Sequence, residues 1–357
     1  MLSIKSPLTY YHQINLCRRV GDFITPFSRN IAILTSRRAW KAVEAAVIES
    51  LNNSGIDFHV HFLSGECTRE AVAYHQEKIA QHKIQFVLGI GGGRVLDCAK
   101  AVADGLSDGQ VATLPTIAAT CAAWSPISIL YDEHGAHQGT LVLKNMPVMV
   151  MVDSTVIANS DVRYLKAGIV DALAKWYEFQ PYEEKNGASL ALSLKIQAAA
   201  FARETFARWG VQAIRDNKNH EVTPALQKVI DAAIAGAGLA NSMRDEDPSP
   251  GVAHAIHNRL THIPALHDWL HGEKVGFGLI VQSLLAQQGT DPDEALLAQL
   301  RQYDMPLSLA VLGGQYREVV KDIATSFKFP ATSAALLPFS LSPEAIEKAI
   351  LAVEKIR

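Results

Sequence analysis

Five of the thirteen histidines in this chain lie in one segment, HAIHNRLTHIPALHDWLH at 254–271, which GEKVGFG follows directly. They are His254, His257, His262, His267 and His271. Imidazole is a common ligand of zinc and of other transition metals, so the segment is a candidate metal site. Spacing alone does not decide which of the five bind a metal, and His267 with His271, one helical turn apart, could also chelate as a pair.

A second candidate for chemistry is the glycine run in FVLGIGGGRVLDCAKAVADG, residues 86–105. The consecutive glycines are Gly91, Gly92 and Gly93. An apolar strand leads into them and a helix follows, so backbone N–H groups at the start of the helix can approach a phosphate closely. The Rossmann GxGxxG fingerprint is absent, because Arg94 follows the third glycine. A plain strand-to-helix turn is the alternative, and Asp97 with Lys100 could be a solvated ion pair.

The elements that must position these motifs differ between the two halves of the chain. In the first half, apolar runs predict strands at 30–36, 58–63, 84–90 and 146–152, with helices at 39–55 and 68–83 between them. From about residue 160 the pattern is Ala-rich and helical, for example at 190–210, 223–242 and 342–357. We therefore predict an α/β plus all-α protein. Residues 1–158 form a Rossmann-like, doubly wound parallel sheet domain, and 159–357 form a helical bundle domain.

Composition limits the classes of partner. A chain of 357 residues with 48% hydrophobic residues is too large for one ordinary core, which also favours two domains. A net charge of −3 provides no basic surface for nucleic acid. MPVMVMV, at 146–152, is far shorter than the roughly 20 residues of a membrane span. The start of the chain contains no secretory signal pattern, and the four scattered cysteines favour reduced thiols, so we expect a cytoplasmic protein.

Together these motifs resemble the iron-containing alcohol dehydrogenase superfamily, and within it the glycerol dehydrogenase group. The resemblance rests on GIGGGRVLDCAKAVAD, PTIAAT at 115–120, GIVDALAKWYE at 168–178, HAIHN and HGEKV, which occur in the family's order. It implies a dehydroquinate synthase-like fold with the active site in a cleft between the two domains.

The resemblance also implies a ligand set for one divalent metal, Asp171, His254 and His271, with zinc as the usual ion. Three protein ligands leave one position open for substrate, as in catalytic sites. His257 is then a neighbour that could exchange protons with solvent, and His262 and His267 are surface histidines. Lys175 stands where the iron-binding branch has a further histidine ligand, and an ammonium group cannot coordinate, so the sequence favours zinc over iron.

The substrate prediction depends on PTIAATCAAWSPISILY. Glycerol dehydrogenases have an aspartate at the position of Cys121 and lack Trp124, so this version is more similar to the hydroxycarboxylate dehydrogenase branch, which reduces small 2-oxo acids. Without that carboxylate the pocket would accept an anionic substrate. The alternative is that Cys121 and Trp124 only repack the wall of the cleft.

The resemblance places the glycine run and Asp97 near the pyrophosphate of a nicotinamide dinucleotide, and Thr116, Ser125 and Tyr131 along its ribose and nicotinamide. Ser36 aligns with the acidic residue that contacts the adenosine ribose in NAD-dependent members. Because Arg37 and Arg38 follow it, we predict that NADP(H) is preferred over NAD(H). The alternative is that both arginines face solvent.

The predicted function is metal-dependent hydride transfer between NAD(P)H and a small carbonyl or alcohol, in a homo-oligomer. A glycerol dehydrogenase stays open as an alternative. So does a dehydroquinate synthase-like lyase, although the metal ligands are flanked by few basic residues for a phosphate: Lys175, Arg244, Arg259 and Lys274. The last alternative is a non-catalytic homologue that binds only the cofactor.

Overall fold

Six parallel strands form the sheet in the first half of the chain, and helices form nearly all of the second half. The computed structural model describes residues 2–288 and 291–356. The strands are Ser3–Ile4 (β1), Thr9–Gln13 (β2), Asn30–Thr35 (β3), Asp57–Phe62 (β4), Phe86–Gly91 (β5), Gln110–Pro115 (β6), Ile127–Tyr131 (β7), His137–Val142 (β8), Met149–Asp153 (β9) and Met243–Arg244 (β10).

Sixteen α-helices are described, and a π-helical turn at Ala232–Gly236 joins two of them. The helices are Val20–Ile24 (α1), Arg37–Asn53 (α2), Arg69–Gln81 (α3), Gly93–Gly105 (α4), Ser154–Ala158 (α5), Val162–Phe179 (α6), Glu183–Asn186 (α7), Leu190–Lys218 (α8), Pro224–Asp231 (α9), Ala237–Ser242 (α10), Val252–Leu260 (α11), His271–Ala286 (α12), Glu294–Gln302 (α13), Tyr316–Ser326 (α14), Ala331–Ala334 (α15) and Pro343–Val353 (α16).

The large sheet has the strand order β2-β9-β6-β5-β3-β4, and every neighbouring pair is parallel. Successive residues of β3 enter different cores. Ile31 and Ile33 pack in the cluster that contains Trp40 of α2, whereas Ala32 and Leu34 pack with residues of α3 and α4. Apolar side chains on both faces explain the continuous apolar runs, and the predicted doubly wound sheet is confirmed.

Two features do not follow from the apolar runs. β2 is half-buried and rich in polar residues, yet it pairs in parallel with β9 at the edge of the sheet. β7 and β8 form a separate antiparallel hairpin, in which Ile127 faces Val142. β7 packs on α4, so the hairpin lies beside the helix that follows the glycine turn.

Small residues let the helices of the second half approach closely. A Cβ on Gly272 would lie 1.9 Å from the carbonyl oxygen of Ala167 in α6, and one on Gly278 would lie 2.4 Å from that of Ala253 in α11. These glycines therefore bring α12 against both α6 and α11. The helical second half is confirmed, while the division at residue 158, where α5 ends, stays a prediction. Among the described residues, no helix is long and apolar enough to cross a membrane.

Candidate functional site

Three helices bring one side chain each to a common point. Asp171 lies in the middle of α6, His254 in the first turn of α11, and His271 is the first residue of α12. Asp171 Oδ1 is 3.1 Å from His254 Nε2 and 3.2 Å from His271 Nε2, and one ligand atom from each residue lies within 4.8 Å of the others. A tetrahedral ion with bonds of about 2.1 Å would separate its ligands by about 3.4 Å, so these donors fit a divalent metal.

Glu178 orients one of the two histidines. Its Oε1 and Oε2 lie 2.9 and 2.8 Å from His254 Nδ1, and Oε1 also accepts the backbone N–H of His254. With Nδ1 engaged by the carboxylate, Nε2 is the nitrogen that faces Asp171. Burial acts to raise the pKa of Glu178, but the His254 ring outweighs it and the pKa is lowered.

The charge on Asp171 is stabilised by its neighbours. Burial would raise the pKa of this carboxyl, but Lys175 and His271 hold it well below its usual range, so it is an anion. Lys175 Nζ lies 3.5 Å from Asp171 Oδ1 and 3.0 Å from His254 Nε2. Burial acts to lower the pKa of Lys175, and Asp171 and Glu178 raise it overall. The ammonium is therefore a charged neighbour of the candidate metal site and not a ligand.

His257 packs directly against the ring of His271, with 4.1 Å between ring centroids. Its side chain is buried, and burial together with the two nearby histidines holds its pKa well below the usual range. The ring is therefore neutral at pH 7, with Nδ1 3.1 Å from Asn258 Oδ1. A neutral imidazole can relay a proton, but it does not supply a permanent positive charge.

A cavity of about 1620 Å³ runs from these residues to the glycine turn. Gly91 ends β5 with φ of +158°, and a Cβ there would lie 2.8 Å from the side chain of Val95. Gly92 precedes the first turn of α4, where backbone N–H groups have no partner inside the helix. Gly92 and Gly93 line the cavity, so a phosphate in the cavity could reach these N–H groups.

The alternative for Asp97 was a solvated ion pair with Lys100. The ion pair is present, but it is not solvated, because both side chains are buried, so that alternative is wrong. Lys100 Nζ lies 2.9 Å from Asp97 Oδ1 and donates to the carbonyls of Ser125 and Ile127. Asp97 Oδ2 accepts the backbone N–H of Ile129. The pair holds the start of β7 against α4, and Asp97 also lines the cavity.

Most of the predicted site residues line this one cavity. They are Ser36, Arg38, Gly92, Gly93, Asp97, Thr116, Cys121, Ser125, Tyr131, Asp171, His254, His257 and His271. His267 also lines it but is exposed. His262 is exposed as well, in agreement with a surface role.

Three predicted residues lie behind or beside the cavity wall. The guanidinium of Arg37 packs 5.0 Å from the ring centroid of Phe62. Trp124 is buried, packs against Gly238 and donates from Nε1 to Ser242 Oγ at 3.0 Å. Gly91 shapes the turn from within β5. For Trp124, the structure favours the wall-packing alternative over direct substrate contact.

Known proteins resemble this chain in sequence and in fold. Residues 7–154 match the family described as iron-containing alcohol dehydrogenase. Hydroxycarboxylate dehydrogenase A of Escherichia coli is 33% identical over 99% of this chain and 98% of its own length. The chain belongs to the iron-containing alcohol dehydrogenase family. The resemblance found in the sequence is confirmed, and this family member is an oxidoreductase that acts on a small molecule.

Two further relatives carry the name glycerol dehydrogenase. One, from Pseudomonas putida, is 29% identical to this alcohol dehydrogenase family member over 99% of this chain and 97% of its own length. The other is the crystal structure of a probable glycerol dehydrogenase from Sinorhizobium meliloti. It has a TM-score of 0.86 and 26% identity, and the match covers 99% of this chain and 98% of that one. These names leave both substrate classes open, and the family description mentions iron, not zinc.

Sequence reasoning missed Glu178, although it ends the family motif GIVDALAKWYE. Asp171, Lys175 and Glu178 are spaced i, i+4 and i+7, which places all three on one face of α6. That spacing was the available signal. A carboxylate one further turn from a metal-binding aspartate is a candidate partner for a ligand histidine.

A second histidine–carboxylate group lies where β2 meets the helices. His12 Nδ1 is 2.6 Å from Asp231 Oδ1, and His12 Nε2 is 2.7 Å from Ser154 Oγ. Gln227 Nε2 also donates to Ser154 Oγ, at 3.2 Å. Ser154 is fully buried and does not line the cavity. The group therefore links β2, α5 and α9 and cannot reach a substrate in the cavity.

Proposed function

We propose that this protein transfers a hydride between NAD(P)H and a small carbonyl compound, a 2-oxo acid, with the help of one divalent metal. One observation carries the proposal: a buried carboxylate and two partly exposed imidazoles converge on a cavity that continues to the glycine turn of α4. We further propose a cytoplasmic homo-oligomer. The cytoplasmic location agrees with four unpaired, buried cysteines, and the homo-oligomer rests on the family resemblance.

Each residue has a distinct part in this proposal. Asp171, His254 and His271 would hold the metal, and a bound metal would polarise the substrate carbonyl as a Lewis acid. Glu178 fixes the ring of His254. The neutral ring of His257 would pass a proton between the product hydroxyl and solvent.

The nicotinamide dinucleotide would occupy the other part of the cavity. The N–H groups at the start of α4 would bind its pyrophosphate. Thr116, Ser125 and Tyr131 also line the cavity. The wall they form would hold the nicotinamide next to the substrate carbon, which is the geometry that hydride transfer requires.

The 2-oxo acid assignment rests on the side chain of Cys121. Burial raises the pKa of its thiol to about 11, so the thiol is neutral at pH 7, and Asn241 Nδ2 lies 3.4 Å from its sulfur. A neutral group at this position does not repel a carboxylate, whereas an aspartate would. The second candidate is a glycerol dehydrogenase, which is favoured by the names of several relatives.

The direct test is a substrate panel on chelator-treated protein reloaded with zinc, iron or no metal. We expect reduced-nicotinamide absorbance to fall with 2-oxo acids only after metal is added. Turnover of glycerol alone would identify the second candidate. Cofactor binding with no metal-dependent turnover of any substrate would contradict the proposal and favour a non-catalytic homologue.

Cys121→Asp tests the substrate class within the same panel. A new carboxylate would repel the anionic substrate and accept a hydrogen bond from a diol, so the kcat/KM ratio of 2-oxo acid to glycerol should fall at least about tenfold. Cys98→Ser, at a buried cysteine that does not line the cavity, is the control. An unchanged ratio in Cys121→Asp would show that this side chain does not face the substrate.

We also propose that NADP(H) is preferred. Ser36 lines the cavity and caps α2 by accepting the N–H of Ala39 at 3.2 Å. Arg38 lies beside it, with Nη1 3.3 Å from the hydroxyl of Tyr164. A serine in place of a carboxylate, next to a guanidinium, suits a 2′-phosphate.

A Ser36→Asp, Arg38→Ala double variant tests this preference. Aspartate also caps helices, so α2 should be preserved, while the kcat/KM ratio of NADPH to NADH should fall about tenfold or more. Arg37→Ala is the control, because that side chain packs on Phe62. A wild-type ratio below one, or a ratio that the double variant leaves unchanged, would contradict the preference.

A further inference from the structure

Lys195 is a buried cation on the wall of the cavity that the proposed reaction does not use. It lies in α8, and its relative exposure is 8%. Its ammonium donates to Ser249 Oγ at 2.8 Å and lies 5.2 Å from the ring centroid of Phe179. Ser249 is also 8% exposed, and all three residues line the cavity.

The charge of Lys195 has no ion-pair partner within residues 2–288 and 291–356. Two of the other three buried lysines of the cavity region differ in this respect, since Lys100 and Lys175 lie 2.9 and 3.5 Å from carboxylate oxygens. The third, Lys274, donates to the backbone carbonyl of Trp269. Asp245 is the acidic residue with most influence on Lys195, but its carboxylate accepts from the hydroxyl of Ser189 and the N–H of Asp247. Burial lowers the pKa of Lys195, and Asp245 offsets that only in part.

A buried charge without a counterion is unfavourable unless something binds it. The ammonium of Lys195 has three N–H donors, and Ser249 accepts a hydrogen bond from one of them. Nearer the surface, Arg244, Asp245 and Glu246 line the same part of the cavity with mixed charges. Lys195 is thus the buried positive group in this part of the cavity.

The position of Lys195 relates it to the candidate metal site. Phe179, against which the ammonium packs, is the last residue of α6, eight residues beyond Asp171. At 1.5 Å per residue, this separation is about 12 Å along the helix. The intervening turns carry Lys175 and Glu178, which line the same cavity. A substrate whose carbonyl lies at Asp171, His254 and His271 can therefore extend along α6 towards Lys195.

We propose that Lys195 and Ser249 form a subsite for a second carboxylate of the substrate, carried at the end remote from the reacting carbon. One ammonium and one hydroxyl match a single negative charge, whereas a phosphate dianion is usually met by guanidinium groups or by more donors. The substrate class is then a 2-oxo dicarboxylate. This inference rests on the proposed function for the chemistry at the carbonyl, but the subsite itself can be tested by binding alone.

The binding test compares adipate with hexanoate, which differ by one carboxylate, by calorimetric titration of the metal-loaded protein with bound NADPH. We expect wild type to bind adipate at least about tenfold more tightly, and Lys195→Met to bind the two acids equally. Ser249→Ala keeps the charge and should lose only part of the difference. Lys228→Met is the matched control. Lys228 also packs over an aromatic ring, that of Trp209, but it is exposed and does not line the cavity.

Turnover gives a second, separate measurement. Along a series of 2-oxo dicarboxylates and 2-oxo monocarboxylates of four to seven carbons, wild type should favour the dicarboxylates at six and seven carbons, which are long enough to reach Lys195, and Lys195→Met should lose that preference while still reducing the monocarboxylates. Removing a buried, unpaired charge should not destabilise the fold, and an unchanged unfolding midpoint checks this. If Lys195→Met does not fold, Lys195→Gln replaces it.

Two results would overturn the subsite: equal wild-type affinities for adipate and hexanoate, including binding of neither, or a difference that persists in the Lys195 variants. The proposed function fails on a different result, which is the absence of metal-dependent turnover of any 2-oxo acid. Loss of the adipate preference in Lys195→Met would support the subsite even if the hydride-transfer substrate proved to be of another class.

Discussion

Two histidine–carboxylate groups in this protein have similar distances and different surroundings. At the candidate metal site, the two histidine nitrogens lie 3.1 and 3.2 Å from Asp171 Oδ1, and the side chains of His254 and His271 are 25% and 28% exposed. In the group at β2, His12 bridges Asp231 and Ser154 at 2.6 and 2.7 Å, which is the order of partners in a nucleophilic triad. Yet Ser154 is fully buried.

This difference in surroundings shows that hydrogen-bond geometry alone does not identify a catalytic site. In both groups an imidazole is oriented by a carboxylate, but only at the candidate metal site do ligand atoms converge on a cavity that can hold a substrate. Around His12 the same interactions join β2, α5 and α9, and Tyr10 donates to Asp231 as well. That group satisfies buried polar atoms and holds the sheet against the helices.

The variant that should separate the two groups most clearly is His271→Ala. Loss of a metal ligand removes several kcal/mol of transition-state stabilisation, so kcat/KM should fall by about a thousandfold or more. Cofactor affinity, measured by nicotinamide fluorescence, should change by less than about threefold because the glycine turn is untouched.

His267→Ala is the control for His271→Ala, since His267 lines the same cavity but is exposed. Its kcat/KM should stay within about threefold of wild type. If His267→Ala were the more damaging variant and His254→Ala were harmless, the assignment of the three ligands would be wrong.

Glu178→Gln should have a smaller effect than His271→Ala, and this effect should be on metal affinity. The amide keeps the shape of the side chain but removes the charge that orients His254, so the metal dissociation constant should rise about 10- to 100-fold in competition with a chelator. Asp231→Asn makes the same kind of change beside His12 and should leave metal affinity unaltered. Equal effects of the two variants would remove the distinction between the groups.

The two groups also show how far the sequence could predict this protein. The parallel sheet followed from apolar runs, because strands buried on both faces need them. The ligands of the candidate metal site followed from family resemblance. Their meeting point depends on tertiary contacts, such as Gly272 against Ala167 and Gly278 against Ala253, which no local pattern reveals.

The direction in which each side chain points could not be predicted from the sequence. Arg37 and Arg38 are adjacent, but about 100° separates successive residues around a helix, so one packs on Phe62 and the other lines the cavity. Lys195 lies in an Ala-rich helix without any local signal. Its hydrogen-bond partner, Ser249, is 54 residues away in the chain.

The smallest effect on activity should come from Ser154→Ala. The variant removes the hydroxyl between His12 Nε2 and Gln227 Nε2, so two partly buried polar atoms lose a partner. The free energy of unfolding in urea should therefore fall by about 1–3 kcal/mol. Because Ser154 does not line the cavity, kcat/KM should stay within about twofold, and a serine-directed sulfonyl fluoride should not label wild-type protein. Ser50→Ala is the control for stability. It removes another buried hydroxyl, which accepts a hydrogen bond from the N–H of Gly21. A large loss of activity with normal stability, or labelling of Ser154, would mean that the group around His12 reaches a substrate after all.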